Sequence, residues 1–163
     1  MNSEIKDYFQ DHMPENVCFG CGVKNDEGLH VKSFWQGEES VSKWMPEEKY
    51  HGWANLLNGG IIATLIDCHC MCTAMAYAYK TESRGLGTFP EYRYATGTIN
   101  VKYLAPTPID KEVVLKALVT EMKGKKVVLK CDMFSGETKT AEAEVIAIKV
   151  YDSSEGKSSL FKA

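Results

Sequence analysis

One carboxylate, Asp67, stands inside "LLNGGIIATLIDCHCMCTAMAYAY", a stretch from Leu56 to Tyr79 that is apolar almost all the way round a helix. An acid there has two readings. It is a buried carboxylate satisfied by local donors, because an unpaired charge in such a place costs several kcal/mol. Or it is a general base or nucleophile, which a desolvated aspartate in an apolar surround is suited to be. Gly59 and Gly60 precede it. Glycines permit a tight start to a helix packed closely on a sheet. The N–H groups they leave free at the helix start, aided by the helix dipole, also suit a developing negative charge. The third set is sulfur and imidazole: Cys18 and Cys21 form a C-x-x-C, and Cys68, His69, Cys70 and Cys72 crowd the helix.

These residues need elements to position them. The chain has 163 residues, enough for one domain with a sizeable core, and is 44% hydrophobic and 25% charged. Its formal net charge is -3 with basic residues scattered, which points away from nucleic acid and from a membrane surface. Asp67 and His69 inside the apolar run argue against a membrane span. No secretory pattern is visible in "MNSEIKDYFQDHMPEN", so a cytoplasmic location is expected. In a reducing compartment the six cysteines are expected to be free thiols.

Residues 1–28 read as a polar, loop-like N-terminal extension carrying the C-x-x-C, 29–151 as the main domain, and 152–163 as a loose tail. Two short strands are expected in "LHVKSFW" and "ESVSKWM", and a helix from the cap Asn58 to about Tyr79. Four strands follow: "ATGTINVKYLAP", "KEVVLKALVTEM", "KKVVLKCDMFS" and "KTAEAEVIAIKVY". Hairpin turns are expected at Lys123-Gly124-Lys125 and Ser135-Gly136-Glu137. Val113, Leu115, Ala117 and Val119 alternate with Glu112, Lys116 and Thr120, so that strand has one core face. A lone helix, apolar all round, needs cover on nearly every side, and a sheet curled around it supplies that cover. The expected class is therefore α+β.

Gly59-Gly60 at a helix start, "IIATLID" running to Asp67, and "INVKYLAPTP" entering with Tyr103 and closing at Pro106 together resemble the hotdog-fold thioesterases. More narrowly, they are similar to the PaaI-like branch, which hydrolyses acyl-coenzyme A thioesters. The resemblance covers roughly residues 18 to 150, and "CFGCG…GL" is similar to an extension in some members. It implies a curled antiparallel sheet wrapped around one long central helix, and edge-to-edge dimerisation. It implies that Asp67 holds the position of the catalytic acid, activating water or attacking the thioester carbon itself. It places the oxyanion donor at the Gly59 N–H, with Gly60 the weaker candidate, and a water-orienting hydroxyl at Thr96, with Thr98 the neighbour most easily confused with it. No cofactor is implied beyond the coenzyme A of the substrate.

Asp67 lies seven residues beyond Gly60, about two turns, so the two share a face roughly 10 Å apart along the axis. One carbonyl cannot touch both. If both serve one substrate, acid and oxyanion donor come from opposite subunits with antiparallel helices, and a homodimer or dimer of dimers is required. Two positions depart from the family pattern. Asn58 stands where many members have His, and can cap the helix or bind a carbonyl without titrating near neutrality. Gly52 stands where one branch has Asn, and His51 beside it is read as a surface or packing residue. These departures favour the alternative of a non-catalytic acyl-coenzyme A or lipid-binding protein; a related dehydratase fits less well, lacking its histidine.

The cysteines allow a zinc site if the N-terminal loop folds over the helix, where Cys68 and Cys72 share a face. The expected reading is no metal, with buried cysteines as small hydrophobes and His69 as a satisfied core histidine. Arg84, Arg93, Lys102, Lys125 and Lys126 are candidates for coenzyme A phosphates, although solvated surface charge explains each of them.

Overall fold

A computed structural model describes residues 6–156 and 160–161. Two short strands, β1 (Ser33–Gln36) and β2 (Glu39–Trp44), precede the helix α1 (Gly59–Thr81). Four longer strands follow: β3 (Tyr92–Tyr103), β4 (Val113–Lys123), β5 (Lys126–Ser135) and β6 (Thr138–Asp152). All six strands form one antiparallel sheet in the order β1-β2-β4-β5-β6-β3. It curls around α1, giving the hotdog architecture. The tight β4–β5 and β5–β6 connections each begin on a glycine with positive φ, Gly124 at 58° and Gly136 at 60°. That conformation matches the strand twist without a Cβ penalty.

The helix starts where a capping side chain lets it. Asn58 is extended, and its Oδ1 accepts from the Gly60 N–H at 2.7 Å and the Ile61 N–H at 3.3 Å, satisfying two of the four orphan donors. Ile62, Leu65, Ile66 and Cys70 of α1 are buried in one core with Val113, Leu115, Leu129 and Val145 of the sheet. By length and composition α1 could cross a membrane, yet 67% of its apolar window is buried in the protein's own core. The wrapping is incomplete. A stripe of Gly60, Ala63, Thr64, Asp67 and Met71, at helical spacing, keeps partial or full exposure, so the expectation of cover on nearly every side does not hold within one chain.

His69 faces the closed side. It is fully buried, with Nδ1 2.8 Å from Ser33 Oγ and Nε2 3.2 Å from Ser40 Oγ. Gln10 Nε2 donates to Ser33 Oγ at 3.0 Å, and its Oε1 accepts the Ser33 N–H at 2.7 Å. Ser40 Oγ lies 2.6 Å from Thr73 Oγ1, which donates to the His69 carbonyl at 2.7 Å. The network ties the first segment, β1 and β2 to the helix. It also brings in part of the stretch read as a polar loop, for Phe9–His12 is a 3-10 turn with Phe9 fully buried. At the other end β6 runs to Asp152, followed by a 3-10 turn at Ser153–Glu155. The loose tail expected over 152–163 lies partly outside the described residues.

Candidate active site

Asp67 sits on the open stripe of α1, half-buried at a cleft of about 580 Å³. The Thr96 hydroxyl donates to Asp67 Oδ1, so two of the residues singled out in the sequence meet in space. A bulge makes this possible. In β3, Thr96 pairs with Ala147 and Thr98 with Ile146, leaving Gly97 as the extra residue. Adjacent residues of β6 point to opposite faces, so the bulge sends Thr96 to the helix side and Thr98 away from it. A Cβ at position 97 would lie 2.9 Å from Ile148 Cγ1, which explains the glycine. Burial pushes the Asp67 carboxyl above the usual range, with the Thr96 hydrogen bond opposing it.

The cleft walls are largely apolar, with Met13, Val17, Met71 and Met75 among them. Tyr94 also lines it, and its buried hydroxyl has no hydrogen-bond partner among the described residues. Burial pushes the Tyr94 phenol up to about 12, so it stays a proton donor at neutral pH. Sequence reasoning missed this residue. Its only signal was a tyrosine two positions before Thr96, which alternation along β3 would set on the same face.

Gly59 lies at the other end of the stripe. Asn58 Oδ1 occupies the Gly60 and Ile61 N–H groups, whereas the Gly59 N–H has no partner among the described residues. Gly59 lines a second cleft of about 520 Å³ with Trp53, Leu56, Tyr103 and Leu104. Trp53 is 83% exposed there. Tyr103 Oη donates to the Gly59 carbonyl at 2.8 Å, fixing the first turn from β3. Gly52 has a packing reason, since a Cβ would stand 3.1 Å from Asn58 Cα. His51 is exposed and bridges Leu57 through its backbone.

Strand β3 thus serves both clefts, with Thr96 at Asp67 and Tyr103 at Gly59. Eight residues of helix separate the two, about 12 Å, and one chain does not unite them. Among the described residues β3 pairs only with β6, so its outer edge is open along twelve residues beside the open stripe of α1.

The sulfurs form two groups, and all six cysteines are free thiols. Cys70 and Cys131 are buried in the core, where Cys131 Sγ donates to the Asp132 carbonyl at 4.0 Å. Cys18, Cys21 and Cys68 bring their sulfurs within 4.8 Å of one another at the cleft wall, and Cys72 Sγ lies 4.0 Å from Cys21 Sγ. The N-terminal loop therefore does fold over the helix. His69 stays out of this group, its ring nitrogens taken up by Ser33 and Ser40.

Comparison with known proteins agrees with the geometry. The family model described as the thioesterase superfamily matches residues 54–142. A Bos taurus protein, acyl-coenzyme A thioesterase THEM4, is 22% identical over 156 residues, covering 90% of this chain. The chain spans 59% of the length of that relative. Among solved structures, a thioesterase superfamily protein from Shewanella loihica PV-4 is 31% identical with a TM-score of 0.61, over 74% of this chain and 91% of its own. The E. coli PaaI protein shares the fold, with a TM-score of 0.62 at 11% identity over 76% of this chain and 82% of its own.

Proposed function

The chain belongs to the thioesterase superfamily, and from that premise we propose that it hydrolyses acyl-coenzyme A thioesters to the free acid and coenzyme A. The observation that carries this reading is the Asp67–Thr96 pair at the edge of an apolar cleft. Thr96 holds Oδ1 and leaves the second carboxylate oxygen for water or for the acyl carbon. In the water route Asp67 takes a proton as water attacks the carbonyl, and the oxygen gathers negative charge. The tetrahedral intermediate then expels coenzyme A thiolate, which recovers that proton. In the covalent route the carboxylate attacks the acyl carbon and expels coenzyme A thiolate, and water then opens the resulting anhydride at the aspartyl carbonyl, its protons going to the thiolate and to solvent. A single turnover in isotopically labelled water separates them, since only the first route labels the released acid at once.

The oxyanion donor is the Gly59 N–H of a second copy. Three features support this: the helical separation of Gly59 from Asp67, the unpaired Gly59 N–H, and the open β3 edge. Pairing of two β3 edges would set two α1 helices antiparallel, bringing each Asp67 towards the other copy's Gly59. Asn58 contributes by capping, which keeps Gly60 occupied and Gly59 free. The assembly is a homodimer, or a dimer of such dimers, in the cytoplasm, and the reaction draws on no cofactor beyond the coenzyme A of the substrate.

One observation favours a second reading as a non-catalytic acyl-coenzyme A binder. The Asn58 amide oxygen, at the position of the family's frequent histidine, is spent on the helix cap. A screen of acyl-coenzyme A esters of graded length and aromatic character, read with a thiol reagent, decides between the two. Turnover on at least one ester is expected; binding without turnover across the set selects the second reading.

A further inference from the structure

The cluster of sulfurs beside Asp67 has no part in thioester chemistry. Cys18 and Cys21 lie on an N-terminal loop and Cys68 and Cys72 one turn apart on α1, so the group joins segments fifty residues apart in sequence. Cys18 Sγ lies 3.7 Å from Cys68 Sγ and Cys21 Sγ lies 4.0 Å from Cys72 Sγ. A tetrahedral zinc with bonds of about 2.3 Å sets its sulfurs about 3.8 Å apart, whereas a disulfide needs them at about 2.05 Å. These two spacings fall at the first value, and Cys18, Cys21 and Cys68 lie mutually within 4.8 Å, whereas Cys72 Sγ stands further than that from Cys18 or Cys68 and must turn inwards to complete a tetrahedron.

The loop is built for this approach. A Cβ on Gly20 would collide with Cys68 Sγ, and one on Gly22 would stand 2.5 Å from Cys18 N. The Gly22 N–H donates to the Cys18 carbonyl at 2.8 Å and the Cys18 N–H to Asn16 Oδ1 at 2.9 Å, closing a turn that aims both thiols at the helix. Three of the four cysteines are buried, but Cys18 is exposed, so an ion reaches the group from solvent. Plain packing would account for small apolar side chains here. It gives no reason for four thiols to converge across a loop that admits only glycine at Gly20.

We propose that Cys18, Cys21, Cys68 and Cys72 bind one structural zinc ion, which staples the N-terminal loop to α1 and sets one wall of the Asp67 cleft. Binding converts thiols to thiolates and releases their protons to the buffer. With four protein ligands the ion keeps no open position, so it shapes the cleft and does not activate water. The proposal takes up the zinc site that the sequence allowed, in place of the expectation that these cysteines are packing residues. The proposal stands independently of the acyl-coenzyme A reading, because its readouts are metal content and spectra.

The test uses the full chain purified under reducing conditions without chelator. Elemental analysis is expected to find about one zinc per chain. Replacement by Co²⁺ is expected to give the thiolate-to-metal charge-transfer bands and intense ligand-field bands of a tetrahedral thiolate site. Cys18→Ser, an exposed position, should stay folded by circular dichroism and lose those bands; Cys131→Ala, in the separate core pair, should retain them. Chelation should lower Tm and expose Cys18 to a thiol reagent. Protein that is metal-free and gives no cobalt–thiolate bands, that carries iron with acid-labile sulfide, or whose cobalt spectrum is unchanged in Cys18→Ser overturns the proposal.

Discussion

Asp67 and His69 are two residues apart on one helix and meet opposite environments. His69 is sealed under β1 and β2, with a serine on each ring nitrogen and a further ring of Gln10 and Thr73. Asp67 is half-exposed at a cleft, with one hydrogen bond, from Thr96, among the described residues. Both are polar intrusions into the same apolar sequence, and their partners separate their roles. Where every polar atom is matched inside the fold, nothing is left for a substrate, and the group serves stability and register. Where one oxygen of a carboxylate is held and the other is free at a cavity, the group is poised for chemistry.

The largest difference should appear on substitution to the neutral amide. Asp67→Asn is expected to lower turnover by about two to four powers of ten, the range for lost general-base catalysis. Its Tm at neutral pH should match or exceed that of the wild type. The sign follows from linkage: burial raises the folded-state carboxyl, so ionisation destabilises the native protein above that value, and Asn removes this cost. Unchanged turnover with a lower Tm would make Asp67 structural.

His69→Ala should do the reverse. It takes one hydrogen-bond partner from each of the Ser33 and Ser40 hydroxyls and leaves a cavity, at a cost of about 3 kcal/mol in urea unfolding. The folded fraction should hydrolyse thioesters at the wild-type rate per site. A loss of rate larger than the loss of folded protein would contradict the division between the two residues.

A pH series sharpens the contrast. Burial lowers His69 from the ordinary 6.5 to about 4, so the native protein resists a proton that the unfolded chain accepts. The stability tied to neutral His69 is full above pH 6.5 and is lost as pH falls towards about 4, amounting to on the order of 3 kcal/mol. The difference in unfolding free energy between wild type and His69→Gln, followed over that window, should carry this slope; parallel curves would refute it.

The smallest effect concerns Thr96. Thr96→Ala removes one hydrogen bond to the carboxylate and is expected to cost about tenfold in turnover. Because that bond lowers the Asp67 value, its loss should also move the acid limb of the pH–rate profile to higher pH. Thr98→Ala, beyond the bulge, should leave both rate and profile unchanged. Equal effects at the two threonines would mean that the bulge does not sort them.

Much of this contrast was legible in the sequence, because local rules fix it. The Asn58 cap, the helix span and the hairpin glycines follow from capping and turn chemistry, and Asp67 was conspicuous by its isolation. Thr96 came from resemblance, and only the bulge at Gly97, a feature of register, separates it from Thr98. Strand order was not legible: alternation assigns faces, not neighbours, so nothing in β3 says that it lies beyond β6. The burial of Phe9, the unpartnered Tyr94 hydroxyl and the fold-over of Cys18 and Cys21 are tertiary facts as well. The sequence showed Cys68 and Cys72 on one helical face, but the distance to the loop exists only after folding.

The shared site can be tested by complementation. Gly59 is the first helical residue, where proline is tolerated, and Asn58 before it is already extended, so Gly59→Pro deletes one N–H and leaves the helix intact. Each of Gly59→Pro and Asp67→Asn should be nearly inactive alone. Co-expressed with different tags and purified through both, the mixed dimer holds one site with Asp67 from one chain and Gly59 from the other. It should recover about half the wild-type activity per dimer. A mixed dimer no more active than its two parents would place acid and oxyanion donor in the same chain and contradict the shared site.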